Sequence, residues 1–109
     1  MNALEDFKKK LRSYTKEQII FTKHARIRAV QRSIELEEIK NNIINPDRLF
    51  YAEKQEAKGR YEEKYDCYFY YSKTLCHRYV LIINKKIIVC TVIKINRRWQ
   101  RRVEKHEKI

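Results

Sequence analysis

A change of hydrophobic period at Asn45-Pro46-Asp47 divides the chain into a helical front and a β-forming back. Before the break, apolar residues recur at spacings of three and four. Beyond it, Tyr, Ile and Val crowd into runs separated by short polar turns. Pro46 enforces the division, because the residue before a proline is pushed out of helical geometry. A chain so divided is expected to be α+β, with its helices packed on a sheet built from the second half.

In the front half, residues 3–12 read as a lysine-rich helix with Leu4, Phe7 and Leu11 as a narrow apolar stripe. The trio Ile19, Ile20 and Phe21 leads into Thr22, a good N-cap for a helix over 23–32. Ser33 is the expected cap of a further helix over 35–44, with Glu35, Glu37 and Glu38 where the helix dipole favours acids. In the back half, residues 48–52 form a short candidate strand and residues 53–60 a loop. Longer strands over 62–72, 76–83 and 86–95 are joined by turns at Lys73-Thr74 and Asn84-Lys85. The expected sheet is a three- to four-stranded antiparallel meander. Two-residue turns would align Phe69, Arg78 and Thr91 on one face and Tyr70, His77 and Val92 on the other; a three-residue turn would undo that register. Asn96 caps a predicted basic C-terminal helix over 97–108.

With 109 residues the chain is expected to hold one core, so 1–109 is read as a single domain. Residues 1–18 supply its first helix and connection, and residues 96–109 its basic tail. Hydrophobic residues make up 43%, enough for that core even though 37% are charged. No apolar run is long enough to span a bilayer and the N-terminus lacks a signal-peptide core, so no membrane partner is expected and the expected location is the cytoplasm. Cys67, Cys76 and Cys90 are odd in number and set in apolar runs, the pattern of reduced core residues. With His77 they lack a Cys-x-x-Cys pair, so neither a metal nor any other cofactor is expected.

Lys and Arg number 26 against 14 Asp and Glu, a net charge of +12 that suits a polyanionic partner such as RNA. The most informative run is Lys23-His24-Ala25-Arg26-Ile27-Arg28-Ala29-Val30-Gln31-Arg32. On a helix, His24, Arg28 and Arg32 fall within an arc of roughly 80°. Metal-free RNA cleavage needs a group to take the 2′-hydroxyl proton and cations to stabilise the phosphorane. His24 could exchange the proton while Arg28 and Arg32 grip the phosphate through their planar, permanently charged forks. The plain alternative is a solvated basic helix face.

The string His24-Ala25-x-x-Arg28-x-x-x-Arg32-x-Ile34, followed by a Glu-rich helix start and an Asn-Pro stop, resembles a prokaryotic domain family of unknown function. That family carries an H-A-x-x-R-x-x-x-R-G-I signature and is similar to the RelE-like ribonuclease toxins of the wider barnase, EndoU, colicin and RelE grouping. The resemblance spans residues 19–95. It implies a RelE-like fold and a metal-independent endoribonuclease of toxin–antitoxin type, or a relative of one, with His24, Arg28 and Arg32 in the site and Thr91 as a looser match. Ser33 stands where the family has Gly, which alters the turn between the helices.

Further candidate phosphate contacts are Lys23, Arg26, Arg78 and the Arg pairs Arg97, Arg98, Arg101 and Arg102 around Trp99. Among the tyrosines of the long strands, Tyr70 and the neighbouring His77 are the weaker candidates for stacking or proton transfer. Partners expected from this reading are RNA, free or on the ribosome, and an acidic antitoxin-like protein. A non-catalytic nucleic-acid-binding module, or an inactive toxin relative that binds a protein, fits the same residues. The sequence leaves the oligomeric state open.

Overall fold

The computed structural model describes residues 2–56 and 62–96. Helix α1, Ala3–Arg12, opens on Asn2, whose side chain accepts from the Leu4 N–H; acids stand in its first turn and bases in its last, as the helix dipole favours. A 3-10 turn, Lys16–Gln18, leads to strand β1, Ile19–Phe21. Helices α2, Lys23–Gln31, and α3, Leu36–Ile44, follow. After a second 3-10 turn, Pro46–Arg48, come β2, Leu49–Gln55; β3, Glu63–Tyr70; β4, Leu75–Ile83; and β5, Ile87–Asn96.

The α+β class is as the sequence predicts, and the sheet is larger. It has five strands in the order β1-β5-β4-β3-β2, with β2 to β5 antiparallel and β1 lying parallel to β5. The trio Ile19–Phe21 is therefore a short strand, paired among the described residues with β5 alone, and its parallel pairing makes the sheet mixed. The loop expected from residue 53 begins later, because β2 stays paired with β3 as far as Gln55. The basic helix expected over 97–108, with its four paired arginines, lies outside the described residues.

Both long turns contain three residues. Tyr71 N–H bonds the Leu75 carbonyl around Ser72-Lys73-Thr74, and Ile83 pairs with Ile87 around Asn84-Lys85-Lys86. Phe69 consequently faces His77 and Tyr68 faces Arg78, so the predicted two-residue register is replaced. A bulge at Cys90 shifts β5 again: Leu81 pairs with Val89 and Val80 with Thr91. Such a bulge inserts one unpaired residue and bends its strand.

The core lies between the helices and one sheet face. Phe7, Leu11, Ala25, Ala29, Ile39 and Ile43 of the helices meet Phe69, Tyr79, Leu81, Val89 and Val92 of the strands. Residues alternate across a strand, so Asp66, Tyr68, Arg78 and Thr91 belong to the opposite face. That face carries a two-pronged ion pair from Arg78 Nε and Nη2 to the Asp66 carboxylate. Among the described residues no helix is long and apolar enough to cross a membrane.

Candidate nucleic-acid interface

Helix α2 is fixed at its start by Thr22. The Thr22 hydroxyl accepts from the Ala25 N–H at 3.1 Å and donates to the Cys90 carbonyl at 3.2 Å, while its N–H bonds the Val89 carbonyl. The Cys90 bulge thus supplies the carbonyl that ties the helix to β5. At its other end Ser33 takes φ 54°, Ser33 N–H bonds the Val30 carbonyl and Ile34 N–H bonds the Ala29 carbonyl. This pair of bonds is a Schellman termination. Ile34 and Ala29, brought together by it, are both in the core.

Ala25 and Ala29 form the buried edge of α2, and their small side chains let the helix lie close to the sheet. At 100° per residue, Arg32, Arg28 and His24 step away from that edge by roughly 40°, 80° and 120°. Their exposure follows the geometry: Arg32 and Arg28 are half-buried and His24 is exposed. Arg28 Nη1 donates to Gln31 Oε1 at 2.9 Å, which holds the guanidinium along the helix. Arg26 stands on the opposite flank, and both it and Lys23 are exposed. No acid interrupts the helix from Lys23 to Gln31. The arrangement can neutralise successive phosphates, and it sets an imidazole beside two forked cations.

Thr91 is not brought to this flank. It pairs with Val80, between the core residues Tyr79 and Leu81, and so sits on the sheet face away from α2. Arg78 is on that far face too, engaged by Asp66 and 5.7 Å from the Tyr68 ring centroid. Tyr70 is exposed there and stacks on Phe50 at 4.1 Å. His77, predicted to share a face with Tyr70, is on the helix-bearing face, because the longer turn moves its pairing from Tyr70 to Phe69. Arg97, Arg98, Arg101 and Arg102 fall outside the described residues.

His77 belongs to a polar cluster only partly visible in the sequence. Its Nδ1 lies 2.8 Å from the Tyr79 hydroxyl, which accepts from Asn42 Nδ2 at 3.0 Å. Tyr71 stacks on its ring at 4.5 Å, and Lys94 lies across the strand pair from it. Burial foremost, then the charges of Lys94 and Arg48, pushes the His77 pKa down to about 4. Burial likewise raises that of Tyr79. Three-residue turns alone would set Ile93 opposite His77; the Cys90 bulge moves Lys94 there instead, and nothing local in the sequence signals that bulge, Asn42 or Arg48.

Among the described residues no group of three or more His, Cys, Asp or Glu side chains could hold a metal ion. Cys67 and Cys76 are buried thiols, and burial raises the pKa of Cys67 well above its ordinary value, so it is packed rather than reactive. No protein-family model, curated protein or solved structure matches this chain.

Proposed function

We propose that this chain is a cytoplasmic RNA-binding protein of ribonuclease-toxin type, in which α2 grips the phosphate backbone and His24 exchanges protons with the RNA. The observation that carries the reading is the acid-free helix α2, locked to the sheet through Thr22, Ala25 and Ala29, with His24, Arg28 and Arg32 along one flank. A RelE-like arrangement, as the resemblance implies, is supported by helices that precede the antiparallel run β2 to β5 and share one face of it. In the cleaving reaction His24 takes the 2′-hydroxyl proton as that oxygen attacks phosphorus. Arg28 and Arg32 stabilise the charge, the P–O5′ bond breaks to leave a cyclic phosphodiester, and the departing oxygen takes a proton from solvent.

Binding without cleavage is the second reading, favoured by the position of Thr91 on the far side of the sheet. An acidic antitoxin-like protein would compete for the same cations under either reading. Incubation of wild-type and His24→Ala protein with cellular RNA in EDTA separates the two. Cleavage that survives chelation and is lost in the variant supports the catalytic assignment. Equal cleavage by both proteins overturns the role of His24, and salt-sensitive binding with no cleavage by either selects the binding module.

A further inference from the structure

One row across the upper sheet runs Leu49, Phe69, His77, Lys94, each paired with the next and all on the helix-bearing face. Arg48 immediately precedes the first of them. His77 is only 1% exposed, so what its ring nitrogens bond to matters. With Asn42 donating to the Tyr79 oxygen, we assign the phenol proton to the bond with His77 Nδ1. The neutral ring therefore carries its proton on Nε2. That nitrogen is buried and has no hydrogen-bond partner among the described residues. Tyr71 covers the ring in a nearly parallel stack, 19° between planes, and is 42% exposed on its outer side. The Lys94 ammonium rests 4.8 Å from the Tyr71 centroid.

A buried N–H donor with no acceptor, in a row with one lysine and next to one arginine, has the complementary chemistry of an oxyanion. We propose that His77 Nε2, Lys94 and Arg48 form a phosphate-binding subsite, with the Tyr71 ring as its movable cover. Lys94 comes from β5 and Arg48 from the turn before β2; Arg48 also lines a groove with Glu35, Glu37, Glu38 and Asp47, and of these Glu38 acts on Tyr79. A phosphate there accepts the Nε2 proton and lies between the two cations once Tyr71 has turned outward. The group can come from free phosphate or from the terminal phosphate of an RNA, and the site stands on its own residues, apart from α2.

The test is a titration of ¹⁵N-labelled protein at neutral pH with inorganic phosphate, against sodium chloride of equal ionic strength, read at the His77 imidazole nitrogens. A saturable shift of Nε2 with phosphate alone is expected. Lys94→Gln should weaken it at least tenfold, and Tyr71→Ala, which removes the cover, should preserve or tighten it. A His77 resonance that ignores phosphate, or answers chloride equally, overturns the proposal, as does unchanged affinity in Lys94→Gln. Where inorganic phosphate shifts His77, parallel titrations with 5′-phosphorylated and 5′-hydroxyl oligoribonucleotides identify the source: a further response to the phosphorylated strand and not to the hydroxyl strand assigns the site to RNA ends, and no response to either strand assigns it to the free ion. Repeating the phosphate titration in Arg28→Ala keeps the two sites apart, because a failure of RNA binding at α2 leaves the His77 response intact.

Discussion

His77 shows how far one side chain can be from its apparent role in the sequence. Read along the strand it is a polar residue among tyrosines; folded, it is 1% exposed between Tyr71 and Tyr79, with Lys94 and Arg48 on its cationic side. Its folded pKa, about 4, lies below the ordinary 6.5. The unfolded chain therefore binds a proton more readily between those values, and stability rises with pH across that window. The contribution is fully present above pH 6.5 and is lost as pH falls through 4. The shift corresponds to about 3 kcal/mol at most, since each pKa unit is worth roughly 1.4 kcal/mol. Urea unfolding at pH 7.5, 5.5 and 4.5 should show this loss in the wild type and a shallower one in His77→Phe. Carboxylates titrate in both proteins, so the difference between the two slopes isolates the imidazole; equal slopes would mean that His77 is solvated in the folded state.

At the scale of elements, the helices were the legible part. Thr22 caps where its side chain predicts, and the buried stripes Phe7/Leu11 and Ile39/Ile43 follow helical spacing. Element ends that depend on distant partners were not legible: Ile19–Phe21 becomes a strand only because β5 offers an edge. Likewise the register of Thr91 depends on a bulge whose carbonyl is wanted by Thr22. Ser33 was expected to cap α3, yet the N-cap there is Glu35 without a side-chain bond, and Ser33 instead closes α2 at φ 54°. A side chain bearing a Cβ is strained in that region, by about 1 to 2 kcal/mol, while Gly is at ease. Ser33→Gly should accordingly stabilise the protein by about 1 kcal/mol after the greater entropy of the unfolded glycine is charged against it, raising Tm by roughly 4 °C. Calorimetry checks this, and a lower Tm would show that the serine side chain stabilises the turn by more than its backbone strain.

Over the whole molecule, the net charge of +12 is not evenly spread. Helix α2 is free of acids, whereas a groove along α3 is lined by Glu35, Glu37, Glu38 and Asp47 among the asparagines 41, 42 and 45, with Arg48 also lining it. A polyanion approaching this field is turned so that α2 leads and α3 trails. The total charge was legible in the sequence, but this polarity emerges only when the helices are set on the sheet. Binding of a labelled single-stranded RNA, followed by anisotropy from about 50 to 300 mM salt, should fall linearly on a log–log plot, with each neutralised phosphate adding about 0.7 to the slope. Arg28→Gln should reduce the slope by about that amount, and Lys9→Gln, an exposed cation on α1, should leave it unaltered. Equal reductions from the two substitutions would mean that the RNA feels only the total charge, and α2 would lose its place as the contact element. A reduction confined to Arg28→Gln, with Arg32→Gln adding a further similar step, would place successive phosphates along the flank that ends at His24.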